Sequence, residues 1–233
     1  MKSTFKSSLP VNKILERMQR AVTDKTSIAN LEMINKVRQV ANALQSMESI
    51  IENQSPSETT DAHYIRVSKS AKRLRDEFIR INDQVHEILR SESESIRTQI
   101  NKAFEPTKHA AEIRATIRAM PKDERNRFVL DAINSKNIEI ISAIKDAPAV
   151  LSGIDSDFHG SLITSAEEAA FPDLVNQEKE MMDTFMTVQT VLGTAEKATR
   201  EWLDPNKMTA LDAKEQLAES AKQKFEQALQ DNA

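Results

Sequence analysis

The chain has 233 residues, enough for one large domain or two small ones, and its net charge is −4. Apolar residues make up 39% of it, and three glycines with seven prolines leave few turn-forming residues, which argues against an α/β enzyme or a β-sandwich and favours an all-α fold. Because cysteine is absent, disulfides, thiolate metal sites and cysteine nucleophiles are excluded.

Neither a targeting segment nor a membrane span is evident in the sequence. The first 15 residues lack the apolar core of a signal peptide, and no stretch approaches the roughly 18 apolar residues that cross a bilayer. We therefore expect no membrane span, and a protein that is kept in the cytoplasm or carried inside a particle assembled there.

Two heptad seams dominate the N-terminal part of the chain. In both, apolar residues recur at alternating steps of four and three, as in coiled coils. A polar segment near residues 52–62 separates them and is predicted to be a loop, so the seams predict a long antiparallel helical hairpin within a domain of residues 1–105. The seam residues are Met33, Val37, Val40, Leu44, Met47 and Ile51 in the first helix, and Val67, Ala71, Leu74, Phe78, Ile81, Val85 and Ile88 in the second.

A polar stretch, RSESES at residues 90–95, interrupts the second seam before Ile96 and Ile100 continue it. The second helix is expected to run through it to about Ala103, since coiled coils accommodate an eleven-residue step. The stretch is interpreted as a solvated helix face, with a local hinge as the alternative.

Residues 106–233 are predicted to form a smaller helical bundle. Prolines divide its first part into short helices, because proline is tolerated at a helix start and disrupts a helix interior. A long helix from about Asp173 to Trp202 and a final amphipathic helix are predicted to follow, with Trp202 capping the bundle. The apolar residues of the final helix are Leu211, Leu217, Ala221, Phe225 and Leu229.

Charge divides the chain unevenly. Residues 1–130 contain 23 Lys and Arg against 17 Asp and Glu, a net +6, whereas residues 131–233 contain 9 against 19, a net −10. On the second seam helix, Arg66, Lys69, Arg73 and Arg80 are spaced by three, four and seven residues and form a basic stripe. The stripe is typical of a surface that binds nucleic acid or another anionic partner, and it equally suits a long exposed helix that needs charge for solubility.

No catalytic or metal-binding motif is recognisable. Glu105, His109 and Glu112 have the spacing of metal ligands on a helix, but Pro106 falls inside the set and the chain has no second Glu-x-x-His segment. Acid pairs such as Asp155 and Asp157 are interpreted as solvent-exposed residues of a helix, or as acids in a first turn that interact favourably with the helix dipole. We expect no metal, no cofactor and no enzymatic activity; an enzyme whose site cannot be recognised from spacing is kept as a third alternative.

One segment resembles a known group of proteins. From Pro121 to about Pro172 the chain is similar to uncharacterised helical proteins encoded among the structural genes of tailed bacteriophages, over about a fifth of its length. The resemblance implies a role in the virion or its assembly, and it implies no activity. The matching residues are Glu124, Arg125, Ala132, Ile133, Ala147, Pro148, Leu151, Ser152 and Gly153.

These observations lead to a functional expectation with alternatives. The first is a non-enzymatic structural or assembly protein that acts by helix–helix association through its seams, in a tailed-phage particle if it is phage-encoded. Its partners would be copies of itself or capsid- or portal-type proteins. The alternative is an adaptor that binds nucleic acid or an anionic surface through the basic stripe. The seams leave open whether the hairpin closes on itself or pairs with another chain.

Overall fold

The computed structural model describes residues 8–203 and 205–230, and in these residues it contains ten α-helices and no β-strand. The all-α fold that composition and periodicity predict is confirmed. The helices are α1 Ser8–Arg20, α2 Ile28–Glu52, α3 Thr60–Ala103, α4 Ala110–Ala119, α5 Lys122–Asn134, α6 Ile138–Lys145, α7 Ala149–Ser152, α8 Ser156–Ala170, α9 Pro172–Trp202 and α10 Pro205–Gln230.

Prolines and side-chain caps determine where several helices begin. Pro121 and Pro148 occupy the N-cap positions of α5 and α7, and Pro172 is the first residue of α9. At the start of α2 the Ser27 side chain accepts a hydrogen bond from the Asn30 backbone N–H at 3.2 Å. The first N–H groups of a helix have no partner within the helix; a capping side chain accepts a hydrogen bond from one of them, and proline has no N–H at all. These helix starts therefore follow from local sequence.

The chain divides into two compact units whose boundaries differ from the predicted one. The first unit comprises the chain up to Ile88 together with the chain from Thr184, and the second comprises Leu89 to Asp183. The sequence had suggested a boundary after residue 105, where α3 ends. The actual boundaries lie inside the long helices α3 and α9, because heptad spacing shows where a helix runs but not which neighbours each part of it packs against.

In the first unit, α2 and the N-terminal part of α3 form the predicted hairpin. Lys36 Nζ donates to Gln84 Oε1 at 2.8 Å, and closer to the loop Met47 packs with Val67 and Ala71. A residue early in α2 thus contacts a later residue of α3, and a residue late in α2 contacts the start of α3. The two helices are therefore antiparallel. The connecting loop covers residues 53–59, within the predicted range.

Helices α1 and α9 add to this hairpin within the first unit. Ser8 Oγ donates to Glu48 Oε2 at 2.6 Å and joins the start of α1 to α2. The Gln189 side chain of α9 donates to Asn82 Oδ1 at 3.0 Å. Trp202 at the end of α9 packs against the Met47 cluster of the hairpin. The prediction that Trp202 caps the C-terminal bundle is therefore wrong, since its contacts are with residues of the first 75.

In the second unit, an ion-pair network joins α3, α6, α8 and α9. Arg97 bridges two carboxylates, with Nη1 at 2.9 Å from Glu167 Oε2 and Nη2 at 2.7 Å from Glu178 Oε2. The other oxygen of Glu167 accepts from Lys145 Nζ at 2.8 Å. Glu167 is only 9% exposed, and burial of a carboxylate is tolerated because both of its oxygens are paired.

The RSESES stretch is part of this polar packing. Helix α3 continues through it without a break. Ser93 Oγ donates to Glu178 Oε1 at 3.2 Å, and the Gln177 side chain donates to Glu92 Oε1 at 2.6 Å. Glu92 and Ser93 are half-buried. The interpretation as a solvated face is therefore wrong for these two residues, because a helix–helix contact can be made by polar side chains as well as by an apolar seam.

Arg125 holds together the segment that carries the phage-like pattern. Its guanidinium donates to the backbone carbonyls of Ile117, Arg118 and Met120 at the C-terminal end of α4, at 3.1, 3.2 and 2.8 Å. It also donates to the carbonyl of Gly153 after α7. Carbonyls at a helix end lack partners within the helix and carry the negative end of the helix dipole, so one fixed cation here stabilises two helix ends.

Gly153 is required at its position for two independent reasons. Its φ of 67° lies in the left-handed region, and a Cβ built on it would lie 2.8 Å from Arg125 Nη1. Gly160, inside α8, has neither restriction, because nothing lies within 4 Å of a Cβ there. These two glycines therefore form a matched pair in which only the first depends on its lack of a side chain.

We expect Gly153→Ala to lower the free energy of unfolding by about 1–2 kcal/mol, because an L-residue is strained in the left-handed region and the new methyl group displaces Arg125. Gly160→Ala is expected to raise it by about 0.5–1 kcal/mol through helix propensity. Chemical denaturation of both variants measures the difference. Equal stabilities for the two variants would contradict the role assigned to Arg125 and Gly153.

Candidate interaction surfaces

The seam residues lie inside the first unit. Ten are buried and three are half-buried, so the hairpin closes on itself. Apolar surface that is already buried in this way is not available to another chain. The buried residues are Met33, Val37, Val40, Leu44, Met47, Val67, Ala71, Phe78, Ile81 and Val85, and the half-buried ones are Ile51, Leu74 and Ile88.

The first residue of the basic stripe, Arg66, closes the hairpin loop. Its Nε and Nη2 atoms donate to the two oxygens of Glu58, each at 3.0 Å, and Nη2 also donates to the Asn53 carbonyl at 3.1 Å. The hydrogen bond from Arg66 holds the pKa of Glu58 below its ordinary value. Arg66 is thus engaged on both sides of the loop, in a bidentate geometry that only arginine provides.

The last residue of the stripe, Arg80, is also paired. It binds Glu77, one turn earlier on α3, through two hydrogen bonds of 2.9 and 2.5 Å. The hydrogen bond from Arg80 lowers the pKa of the Glu77 carboxyl and raises the pKa of Arg80 itself. The pair is exposed, so it adds little to stability, but it removes much of the positive charge that Arg80 would offer to a partner.

The basic residues of α3 that no carboxylate neutralises lie between these two arginines. Lys69, Lys72, Arg73 and Arg75 are exposed, and within residues 8–203 and 205–230 none of them has an ion pair or hydrogen bond. Asp76 is the acidic residue that lies one turn from Lys72 and Arg73. The structure thus retains Lys69 and Arg73 from the predicted stripe and adds Lys72 and Arg75, which spacing alone had not selected.

The Glu58–Arg66 pair has a pH dependence that follows from the lowered pKa of Glu58. Its stabilising contribution is complete above the pKa of an unfolded glutamate and is lost as the pH falls through the lower pKa of the folded state. We expect acidification from about pH 5 to pH 3 to destabilise the loop less in Glu58→Gln than in the wild type, because the variant has no carboxylate to protonate there.

Hydrogen exchange of residues 53–66 across this pH range measures the effect. Glu94→Gln removes an exposed carboxylate elsewhere on α3 and is the control. An acid response of the loop that is identical in Glu58→Gln and the wild type would rule out the pair as its cause.

The four histidines have individual structural contacts. His159 Nε2 is 3.1 Å from the Ile144 carbonyl, His86 packs edge-on against Phe185 at 5.0 Å, and His63 Nε2 is 3.2 Å from the Ile51 carbonyl in the last turn of α2. His109 lies 3.5 Å from Glu112, and both side chains are mostly exposed.

The spacing of Glu105, His109 and Glu112 does not correspond to one helix face. Glu105 lies in the connection after α3, whereas α4 begins at Ala110. Across the described residues, no group of three or more His, Asp or Glu side chains is placed to hold a metal ion. Asp155 caps α8, with its side chain accepting from the Asp157 N–H at 3.0 Å, which agrees with the predicted helix-terminus role of this acid pair.

Helix α10 packs against the rest of the first unit through its first turns. Leu211 is buried at 7% exposure, and Lys207 Nζ lies 4.0 Å from the centre of the Tyr64 ring. Every residue from 212 to 225 is exposed, including Leu217 at 72% and Phe225 at 65%. The side chain of Leu229, the last residue of the predicted apolar face, lies outside the described part of the chain. The outer part of α10 thus presents apolar side chains that no helix of the described part of the chain covers.

The sequence analysis recognised the amphipathic pattern of α10 but not its exposure. A signal was present, because Lys214 interrupts the apolar stripe one turn after the buried Leu211. A lysine ammonium requires water or a partner, so a stripe that contains one is less suited to a closed core.

None of the described helices combines the length and apolarity needed to cross a membrane.

Comparison of the chain with known protein families, with curated proteins and with solved structures finds no match in any of the three. The resemblance of residues 121–172 to phage-encoded helical proteins therefore stays a prediction.

Proposed function

We propose that this is a non-enzymatic structural or assembly protein, which associates with copies of itself through the outer part of α10. The observation that carries the proposal is the exposed apolar stripe, in which Leu217 and Phe225 are 72% and 65% exposed. Contiguous apolar surface on a helix is costly in water and is typical of a helix that packs against another protein.

The proposed surface differs from the one expected from sequence. The α2 and α3 seams were the expected contact, but Met33, Val37, Val40 and Leu44 are each 0% exposed within the chain's own hairpin. Association through them would require the hairpin to open, whereas α10 needs no such rearrangement. The resemblance of residues 121–172 extends the proposal to a tailed-phage particle, with capsid- or portal-type proteins as further partners.

We expect the mass of the full chain in sedimentation equilibrium to rise with concentration, and Phe225→Asp to raise the dissociation constant about tenfold or more, because a charge replaces buried apolar area. The monomer should keep its helix content in circular dichroism, since Phe225 is exposed. Gln223→Asp places the same charge on the opposite side of α10 and should have little effect. A monomer at all concentrations would contradict the proposal.

A second candidate function is binding to nucleic acid or to another anionic surface. It is favoured by the exposed lysines and arginines between residues 69 and 75, which have no described partner. Successive positive charges on one helix can follow a phosphate backbone, and such binding is strongly dependent on salt. The paired residues Arg66 and Arg80 are less important for this function than the sequence suggested, because Glu58 and Glu77 neutralise them.

If this candidate is correct, Lys72→Glu with Arg73→Glu should abolish binding of DNA or RNA at low salt, and Asp76→Asn should strengthen it about twofold to fivefold. Arg80→Gln should change the affinity less than Lys72→Gln does, because Arg80 is already paired. Fluorescence titration at several salt concentrations measures these effects. If neither DNA nor RNA binds at low salt, this second function is wrong.

A further inference from the structure

A pocket with a volume of about 380 Å³ lies in the second unit, between α4, α5 and the start of α6. Apolar side chains from all three helices line it, with Ile113 and Ile117 from α4, Phe128 from α5 and Ile140 from α6. Ile117 is buried and the other three are half-buried, so they keep apolar surface that the described part of the chain does not cover. A largely apolar lining with a few polar groups, and a volume from roughly 300 Å³ upward, are typical of pockets that hold small molecules.

The acidic groups of the lining are two carboxylates, Glu112 in the first turn of α4 and Glu139 in the first turn of α6. Glu139 Oε1 accepts a hydrogen bond from Thr107 Oγ1 at 3.1 Å, and Glu112 Oε2 lies 3.5 Å from His109 Nδ1. Within the described part of the chain, neither carboxylate pairs with a lysine or an arginine, and no residue of these two types lines the pocket. When His109 is uncharged, the protein therefore leaves both negative charges uncompensated.

The positions of these two acids also have a purely structural explanation. An acid in the first turn of a helix interacts favourably with the helix dipole, which places about half a positive charge at the N-terminus. The two helix starts at the pocket thus contribute about one positive charge together, against two negative charges from Glu112 and Glu139. The pocket keeps an excess of about one negative charge, and this favours a ligand with a single positive charge.

We propose that this pocket binds a small organic amine with an aromatic or branched apolar body. The ammonium group binds at Glu112 and Glu139, and the apolar body packs against Phe128 and the isoleucines. Both parts of the ligand are needed, because an exposed ion pair alone contributes little and apolar contact supplies the rest. This binding is independent of the proposed association through α10, since no residue of α10 lines the pocket.

NMR titration of the labelled full chain with 2-phenylethylamine tests the proposal. It is done at about pH 8, where a histidine ordinarily carries no charge. We expect saturable shifts of the backbone resonances of the lining residues, with a dissociation constant on the order of 1–10 mM for a ligand of this size. The neutral 2-phenylethanol has the same apolar body and should bind about fivefold more weakly, and the anionic phenylacetate should bind more weakly still.

Substitutions of single carboxylates separate the role of charge from that of the apolar lining. Glu112→Gln and Glu139→Gln should each weaken binding of the amine about twofold to fivefold and leave binding of the alcohol unchanged. Glu124→Gln, the matched control, removes a first-turn carboxylate of α5 that does not line the pocket, and it should change neither. All three glutamates are exposed, so the variants should keep the helix content of the wild type in circular dichroism.

Titration with Nα-acetyl-lysine amide distinguishes a free amine from a lysine side chain of another protein. The narrow aliphatic stem of lysine fills less of the pocket, so this compound should bind more weakly than 2-phenylethylamine. Tighter binding of the lysine derivative would identify a partner protein as the source of the ammonium group and overturn the inference.

Three further results would also overturn it. The first is the absence of saturable shifts at amine concentrations well above the expected dissociation constant. The second is equal affinity for the amine and the alcohol, and the third is amine binding that neither Glu112→Gln nor Glu139→Gln weakens. Preference for the amine together with loss of that preference in both variants supports the assignment of the pocket.

Discussion

Burial of the α2 and α3 seams against each other is the interaction on which the first unit depends. Leu44, Ile81 and Val85 are at most 1% exposed, and the end of α9 adds Trp202 to the same apolar cluster near the loop. Because this contact uses the most apolar surfaces of the chain, it also determines which surfaces remain for partners. The seams stabilise the fold, and the proposed association therefore uses the outer part of α10 instead of the seams.

Charged residues in this protein fall into two groups with different consequences. Arg66, Arg97 and Arg125 each make several hydrogen bonds to carboxylates or backbone carbonyls, and Arg97 and Arg125 connect segments that are distant in sequence. Lys69, Lys72, Arg73 and Arg75 are exposed and have no described partner. The excess of positive charge in the N-terminal half is therefore partly structural, and the portion available to an anionic partner is smaller than the count of residues suggests.

Local sequence was sufficient for much of the fold. The helical assignment, the hairpin with its loop near residues 52–62, and the helix starts at Pro121 and near Pro172 depend on periodicity and backbone chemistry, which act over a few residues. The contacts of Trp202 and of the RSESES stretch could not be obtained in the same way. Both depend on which distant segment of the chain packs against them, and the spacing of residues along one helix does not show which other helices it contacts.

The candidate surfaces were predicted less completely than the helices. The stripe Arg66, Lys69, Arg73 and Arg80 was chosen by helical spacing, but Glu58 and Glu77 neutralise its two ends. Glu58 is on the loop, eight residues before Arg66, at a separation that no helical spacing rule describes. For α10 the pattern was recognised while its exposure was not, since an amphipathic helix has the same sequence whether its apolar face is covered or open.

The sequence by itself determined that this chain is helical, where several of its helices start, and which faces of them are apolar. Low glycine content, well-placed prolines and heptad spacing act locally and leave few alternatives. The tertiary structure decided that the seams close within one chain, that Arg66 and Arg125 are structural, and that Leu217 and Phe225 of α10 are exposed. The physical reason is that burial and charge pairing are properties of neighbours in space, and those neighbours are assembled only by folding.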